Sequence, residues 1–282
     1  MLLCGSRPQR SSVAASRPSI LCSYPASPVP FGMRVRIALE GNIGSGKSTL
    51  LRFLRARGIR VVDEPLQRWQ GRDSPGSSSN LLSLFYNDPK RWAFTFQSAA
   101  FFTRAQSAID SYTDNDSGLW VLERSLHSDK YCFATNCFKT GLFTQAEWDL
   151  YLDIHQFTMQ QFPALNLDGF VYLRTQPSTA MRRILARARE EESAIPLEYL
   201  QQLHTRHEEW LMYDSPYTNA GVASSGIVSR ATSSDGIPVL VLDCDRHLDV
   251  VQGSVALPTS IAGEIAAFAE ELGASMDGPA CV

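Results

Sequence analysis

The sequence lacks the features of several protein classes. Its cysteines show neither CxxC pairing nor close clustering, which favours reduced thiols over disulfides or a zinc site. They are Cys4, Cys22, Cys132, Cys137, Cys244 and Cys281. No apolar stretch reaches the roughly 18 residues that span a bilayer. The formal net charge of −3 gives no reason to expect a nucleic acid as the main partner. We therefore expect a soluble intracellular protein that binds neither membranes nor nucleic acids.

Acidic residues are missing from residues 1–32, although the rest of the chain contains many. This leader has Arg7, Arg10, Arg17 and many serines, a composition typical of a mitochondrial transit peptide. A disordered tail is the alternative, because several prolines oppose a long helix. Translation from Met33 would give a cytoplasmic form without the leader. We expect one folded domain over residues 33–273 and a tail over 274–282.

Short apolar runs alternate with longer helical segments after the leader. These runs have the length of buried strands, and their spacing leaves room for crossover helices. They are Val35–Leu39, Ile59–Val62, Leu119–Leu122, Gly169–Leu173 and Ile237–Leu242. The pattern predicts an α/β fold, with a parallel five-stranded sheet covered by helices on both faces. Gln70–Ser79 and Ser215–Gly236, rich in Ser and Gly, are predicted loops, and Ile261–Leu272 is a predicted closing helix.

Charged or phosphate-binding groups follow every predicted strand. In parallel α/β sheets, ligands bind at the carboxyl ends of the strands. The groups at these ends are Gly41, Glu64, Glu123 with Arg124, Arg174 and Asp243. The sequence therefore predicts a ligand site along one edge of the sheet.

A phosphate-binding loop follows the first predicted strand. Residues 41–48 fit G-x-x-x-x-G-K-[ST] at every fixed position, between a strand and a helix. Glycines let the backbone N–H groups turn towards a phosphate, and the helix N-terminus adds partial positive charge. Lys47 is predicted to reach the outer phosphates and the Ser48 hydroxyl to bind Mg²⁺. The predicted nucleotide-binding residues are Gly41, Asn42, Ile43, Gly44, Ser45, Gly46, Lys47, Ser48 and Thr49. The loop alone indicates nucleotide binding without identifying an acceptor.

Three further segments carry candidate acceptor-binding residues. Glu64–Trp69 (EPLQRW) follows the second strand, and Glu123–Ser125 (ERS) closes the third. Phe94–Gln97 (FTFQ) lies on a predicted helix, and Arg104 lies seven residues beyond Gln97 on the same helical face. Taken singly, each segment also has an ordinary structural interpretation, as core aromatic residues or surface acids.

Together these segments resemble the deoxyribonucleoside kinase family, which includes deoxycytidine, deoxyguanosine and mitochondrial thymidine kinases. The resemblance covers roughly residues 34–248. It continues through Tyr172–Thr175 (YLRT), Arg182–Arg189, Ile195–Leu200 (IPLEYL) and His207–Leu211 (HEEWL). It implies a P-loop kinase fold with an arginine-rich lid, and phosphorylation of a deoxyribonucleoside 5′-hydroxyl by ATP with Mg²⁺ in nucleotide salvage. It also implies a homodimer, with Trp148–Phe162 as the candidate interface helix.

The resemblance implies a role for each matching residue. Glu64 would be the general base for the 5′-hydroxyl, positioned by Arg124, while Glu123 would help Ser48 to bind Mg²⁺. Tyr86 and Glu192 would bind the 3′-hydroxyl. The remaining nucleoside-binding residues would be Leu66, Trp69, Leu82, Phe85, Phe96, Gln97, Ala100, Arg104, Asp129 and Phe133. Among them, Phe96 and Phe133 would sandwich the base and Gln97 would read its edge.

The segment Arg182–Arg189 would be the lid of the family. Its arginines, Arg183, Arg187 and Arg189, would clamp the transferring phosphoryl group, and Arg187 would also contact ATP. On spacing alone, Arg183 and Arg187 could equally form a solvated basic face. Residues 243–248, with Asp243 and Asp245, would lie beside the adenine.

The sequence contains conflicting indications of which nucleobase is preferred. The short Gln70–Ser79 connection is more similar to mitochondrial thymidine kinase, whereas Ala100, Arg104 and Asp129 match the deoxycytidine and deoxyguanosine kinases. A guanidinium at Arg104 would crowd a thymine methyl group, while the Arg104–Asp129 pair offers polar partners to cytosine or a purine. Because discrimination depends on direct contacts, we predict deoxycytidine or deoxypurines as substrates, with thymidine weaker.

Three alternatives stay open at this point. The chain could be a mitochondrial kinase that prefers thymidine, or a nucleoside monophosphate kinase, which would need a site for the acceptor's phosphate. It could also be a non-catalytic relative such as the respiratory complex I subunit of this fold. The intact Lys47, Glu64 and Arg124 argue against the last alternative.

Overall fold

The computed structural model describes residues 34–72, 79–111, 117–192, 194–214, 228–245 and 259–276. The predicted leader (1–32), the inner parts of the two predicted loops (73–78 and 215–227) and residues 277–282 of the predicted tail lie outside the described residues. Within these ranges, no helix combines the length and apolar character needed to cross a membrane.

The sheet has six strands within the described residues, in the order β2-β3-β1-β4-β6-β5. They are β1 Arg34–Glu40, β2 Arg60–Val62, β3 Gly118–Glu123, β4 Gly169–Arg174, β5 Val228–Thr232 and β6 Pro238–Asp243. The five predicted strands pair in parallel, which confirms the α/β fold. The predicted strand count was wrong by one. The additional strand is β5, which lies inside the predicted loop Ser215–Gly236 and pairs antiparallel with β6. This edge strand (VSRAT) carries Ser and Arg, so it does not form the apolar run of a buried strand.

Helices cover both faces of the sheet. They are α1 Lys47–Arg55, α2 Leu66–Trp69, α3 Leu81–Asn87, α4 Pro89–Asp110, α5 Leu126–Ser128, α6 Thr135–Lys139, α7 Gln145–Gln161, α8 Pro177–Arg187, α9 Leu197–Leu211 and α10 Thr259–Met276. A π-helix, Asp129–Ala134, joins α5 to α6. The long α4 begins with Pro89 after Asp88, whose side chain accepts a hydrogen bond from the Arg91 N–H. The predicted closing helix is confirmed, and it extends three residues past the predicted domain end at 273.

The core explains why the central strands are mostly apolar. β1 is buried from Val35 to Glu40, as expected for a parallel strand between two helical layers. On one face, α1 contributes Leu50, Leu51 and Leu54, which pack in one cluster with residues of α10. Trp210 of α9 packs on Phe170 and Tyr172 in a separate cluster.

The strand register brings the strand ends together. Leu39 of β1 pairs with Glu123 of β3, and Arg174 of β4 pairs with Asp243 of β6. Because these strands are parallel, their carboxyl ends share one edge of the sheet. The phosphate loop begins at this edge, directly after Glu40.

Candidate active site

A cavity of about 810 Å³ lies at the carboxyl ends of β1, β2 and β3. Every residue predicted to bind the nucleoside lines it. These residues are Glu64, Leu66, Trp69, Leu82, Phe85, Tyr86, Phe96, Gln97, Ala100, Arg104, Arg124, Asp129, Phe133 and Glu192. The sheet, α3, α4 and the π-helix therefore bring residues distant in sequence to one place.

The phosphate loop occupies one end of this cavity. Gly44 has a φ of +78°, and a Cβ at this position would lie 2.6 Å from the Ala180 carbonyl oxygen, so only glycine fits. The Lys47 ammonium donates to the carbonyl oxygens of Gly41 at 3.0 Å and Asn42 at 2.8 Å. Burial lowers the pKa of Lys47 to about 7, and the nearby Arg124 acts in the same direction.

Only part of the loop faces the cavity. The lining residues are Ile43, Gly44, Gly46, Lys47, Ser48 and Thr49. Gly41, Asn42 and Ser45 are not among the lining residues, and the Asn42 side-chain amide donates to the Leu200 carbonyl oxygen at 2.8 Å. This contact fastens the loop to α9.

Ser48 and Glu123 lie together at the base of the loop. The Ser48 hydroxyl donates to Glu123 Oε1 at 2.8 Å. No group of three or more His, Cys, Asp or Glu side chains suited to a metal occurs in the described part of the chain. A hydroxyl beside a single carboxylate suits Mg²⁺, which is typically held by one or two protein oxygens together with phosphate and water oxygens.

Arg104 connects three elements at the bottom of the cavity. Its Nη2 donates to Glu64 Oε1 at 2.9 Å, its Nε to Asp129 Oδ2 at 2.9 Å, and its Nη1 to the Glu123 carbonyl oxygen at 3.0 Å. Burial opposes the charge of Arg104, yet the two carboxylates outweigh it and raise the arginine's pKa. For Asp129 burial dominates, and its pKa is raised despite Arg104.

Glu64 also approaches Arg124, whose Nε lies 3.4 Å from Glu64 Oε1. Burial by itself would raise the pKa of Glu64, but the charges of Arg104, Arg124 and Lys47 outweigh it and lower the pKa. The carboxylate is thus ionised at neutral pH. Arg124 has a φ of +66°, which costs a non-glycine residue roughly 1–3 kcal/mol.

Aromatic rings form one wall of the cavity. Phe96 stacks on Phe85 with centroids 4.9 Å apart and meets the edge of Trp69 at 5.6 Å. The guanidinium of Arg124 lies 4.7 Å from the Phe133 ring centroid. Gln97 is buried, and its amide nitrogen bonds no oxygen or nitrogen atom of the described residues. This wall combines flat apolar surfaces with an amide donor.

The lid arginines line the cavity and are held by protein groups. Arg187 and Arg189 both donate to the buried carboxylate of Glu192, the latter at 2.8 Å. Arg183 donates to the Cys244 carbonyl oxygen at 2.7 Å. Burial, followed by the charge of Glu192, raises the pKa of Tyr86. Glu192, one of the two residues predicted to bind the sugar, is therefore also the residue that contacts the lid arginines.

Some predicted and observed site residues differ. Asp243 and Asp245 are absent from the cavity lining: Asp245 donates its N–H to Asp243 Oδ1 at 3.0 Å and accepts from the Gln176 N–H at 2.9 Å. Residues 246–248 of the predicted adenine loop lie outside the described residues. Arg52 and Tyr199 also line the cavity, although neither was predicted as a site residue. Arg52 follows Ser48 by one helical turn, a spacing that could have identified it.

Comparison with known proteins identifies the family. The model of the deoxynucleoside kinase family matches residues 37–256. The mouse deoxycytidine kinase is 34% identical over 262 residues, covering 84% of this chain and 96% of the mouse protein. A probable deoxycytidine kinase of fowlpox virus is 44% identical over 62% of this chain and 71% of its own length. A mitochondrial deoxyguanosine kinase of Xenopus laevis is 36% identical over 62% and 72%, respectively. This chain belongs to the deoxynucleoside kinase family.

Proposed function

We propose that this kinase transfers the γ-phosphate of ATP to the 5′-hydroxyl of a deoxyribonucleoside in nucleotide salvage, and that it prefers deoxycytidine or deoxypurines to thymidine. The observation that carries the proposal is the bonding of Arg104 to both Glu64 and Asp129. Arg104 thus joins Glu64, the candidate general base, to Asp129, a candidate group for recognising the nucleobase. Both lie in the cavity that the phosphate loop also lines.

Glu64 acts as the general base. Its carboxylate is ionised, partly exposed to the cavity and fixed by Arg104 and Arg124. The transition state of phosphoryl transfer is loose, so catalysis depends mainly on positioning and electrostatic stabilisation. A carboxylate with a lowered pKa can therefore orient the 5′-hydroxyl and accept its proton once the bond to phosphorus forms.

The phosphate loop binds the donor. Lys47 leaves the carbonyl oxygens of Gly41 and Asn42 and turns to the outer phosphates, whose charge replaces those weaker contacts. Ser48 and Glu123 would hold Mg²⁺, which neutralises phosphate charge when bound. Arg183, Arg187 and Arg189 surround the same end of the cavity and supply positive charge to the transferring group.

The aromatic wall binds the nucleoside. Phe96 and Phe133 stack on the base, Gln97 bonds its edge, and Arg104 with Asp129 meets its polar substituents. Tyr86 and Glu192 bind the 3′-hydroxyl of the sugar. Since Glu192 also accepts from Arg187 and Arg189, sugar binding and lid position are linked at one carboxylate.

The mitochondrial location, with the cytoplasm as its alternative, stays a prediction. It depends on the leader, which lies outside the described residues. One relative, the Xenopus deoxyguanosine kinase, carries a mitochondrial designation in its name.

Replacing Glu64 by glutamine tests its proposed role as the general base. We expect Glu64→Gln to lower kcat for deoxycytidine by about 100-fold or more, because a general base typically contributes about 10²–10⁴-fold. The measurement is steady-state kinetics with purified protein. Asp63→Asn is the matched control, since Asp63 is the preceding acid and its side chain is exposed in an ion pair with Arg55. Full activity of Glu64→Gln would exclude the proposed role.

Substitutions at Arg104 and Asp129 test which nucleobase the protein prefers. We expect Arg104→Met combined with Asp129→Ala to raise the ratio of kcat/KM for thymidine over deoxycytidine, because the guanidinium no longer crowds the thymine methyl group. The absolute rates should fall, since Arg104 also orients Glu64, so the ratio is the proper readout. A wild-type protein with its highest kcat/KM for thymidine would contradict the preference. Activity on deoxynucleoside monophosphates alone would instead indicate a monophosphate kinase.

We propose a homodimer formed through α7, the predicted interface helix. Leu150, Ile154 and Phe157 share one face of this helix and are 49%, 41% and 62% exposed. Phe102 of α4 is also 63% exposed, and the two helices touch through Phe101 and Tyr151. Exposed apolar residues grouped in this way are typical of a protein interface.

Phe157→Glu is expected to convert a dimeric wild type into a monomer, since a buried carboxylate in an apolar interface is unfavourable. Sedimentation velocity measures the change. Tyr213→Glu is the control, because Tyr213 is an exposed aromatic residue in the turn after α9. A monomeric wild type, or a dimeric Phe157→Glu, would overturn this assembly.

A further inference from the structure

A buried carboxyl group lies directly before the phosphate loop and takes no part in the mechanism above. Glu40 is the last residue of β1, and its side chain is fully buried. Its Oε1 accepts a hydrogen bond from the Ser125 hydroxyl at 2.6 Å. Burial raises the pKa of Glu40 to about 7, although the positive charge of Arg124 opposes this shift. Burying a carboxyl group is unfavourable, so its presence here calls for an explanation.

Glu40 contacts the turn that contains the strained residue. Arg124, with a φ of +66°, directly precedes Ser125. Two hydrogen bonds from this turn reach β1: the Arg124 N–H donates to the Leu39 carbonyl oxygen at 3.1 Å, and the Ser125 hydroxyl donates to Glu40. The pairing of Leu39 with Glu123 places the following residues of both strands at the same level. Glu40 is therefore opposite the turn it bonds.

The conformation of this turn determines where the Arg124 side chain goes. A non-glycine residue keeps a left-handed backbone only when its surroundings hold it there. From this backbone the guanidinium reaches Glu64 and lies over the Phe133 ring. A relaxed backbone at Arg124 would direct the side chain elsewhere and leave Glu64 with Arg104 as its only guanidinium partner among the described residues.

Ser125 is fully engaged in this arrangement. Its hydroxyl accepts a hydrogen bond from the Ser128 N–H at 3.3 Å while it donates to Glu40. The first of these bonds belongs to the capping box that begins α5. The second fixes the hydroxyl, and with it the start of the helix, to the end of β1.

We propose that Glu40 is a positioning residue that, through the Ser125 hydroxyl, holds Arg124 in its left-handed conformation and so keeps the guanidinium on Glu64. The inference rests on the proposed role of Glu64 as the base. It assigns Glu40 to the acceptor side of the reaction, although the residue is adjacent in sequence to the phosphate loop.

Four variants test this role. Glu40→Ala and Ser125→Ala should each lower kcat about tenfold or more, because small displacements of positioning groups are costly. The KM for ATP should stay within about twofold, since the phosphate loop is unchanged. Glu40→Gln retains an acceptor oxygen for Ser125 and should keep kcat within about threefold of wild type. The double variant Glu40→Ala with Ser125→Ala should fall no further than the lower single variant.

Asp168→Ala is the matched control for Glu40→Ala. Asp168 Oδ2 accepts the Arg36 N–H at 2.7 Å, so it is a carboxylate bonded near the other end of β1. This variant should lower Tm without changing kcat. An increased KM for ATP at unchanged kcat in Glu40→Ala would show that Glu40 supports the phosphate loop instead, and would overturn the proposal. Additive losses in the double variant would also overturn it.

If Glu40→Ala does not fold, Ser125→Ala decides the question, and a wild-type kcat in that variant contradicts the proposal. The proposed function is judged separately, from the activity of the wild type on a panel of deoxynucleosides. A wild type inactive on all of them refutes the proposed function, whereas an active wild type with unaffected variants refutes only the role of Glu40.

Discussion

The geometry of the site depends on the hydrogen bonds of the buried Arg104 guanidinium. This guanidinium donates to Glu64, to Asp129 and to the carbonyl oxygen of Glu123, so one side chain of α4 fixes the residues that follow β2 and β3. Removing one partner from a buried charge pair leaves the other uncompensated and typically costs about 3–5 kcal/mol. The three acceptors therefore keep their relative positions, and the proposed general base, the proposed nucleoside pocket and the candidate Mg²⁺ site are held together.

The parallel sheet supplies the second constraint. Each strand ends at the same edge, so groups at the carboxyl ends of β1, β2 and β3 meet without any long excursion of the chain. Among the described residues at this edge, Arg124 has a positive φ, which a non-glycine residue rarely adopts. Strained residues persist where their surroundings over-determine them, and here Leu39 and Ser125 provide those surroundings. The proposed acceptor side is thus held by buried contacts within the protein, whereas Lys47 and the lid arginines at the proposed donor side contact groups that phosphates can replace.

The predictions from the sequence match the structure best where local residue chemistry determines the backbone conformation or the burial. The phosphate loop was predictable because Gly41 and Gly46, which occupy fixed positions of a strict pattern, both have a positive φ. The parallel strands β1, β3, β4 and β6 were predictable because burial on both faces demands apolar runs. The edge strand β5 was not, since one hydrogen-bonded neighbour tolerates polar residues such as Arg230. Glu40 carried no signal either, because a single acid at a strand end looks the same whether it faces water or a buried turn. The pairing of Glu192 with Arg187 and Arg189 is local in sequence, but it lies beyond the end of α8, where regular helical spacing does not predict it.

The central claim is that Arg104 and Arg124 keep Glu64 ionised and in place as the base. The most direct measurement is the pKa of the Glu64 side chain, followed by the ¹³C chemical shift of its carboxyl carbon as a function of pH in the free protein. A pKa below the usual range of glutamate, rising in Arg104→Met, is the predicted result. A pKa at or above the usual value in the wild type would contradict the account, because burial would then outweigh the two guanidinium groups.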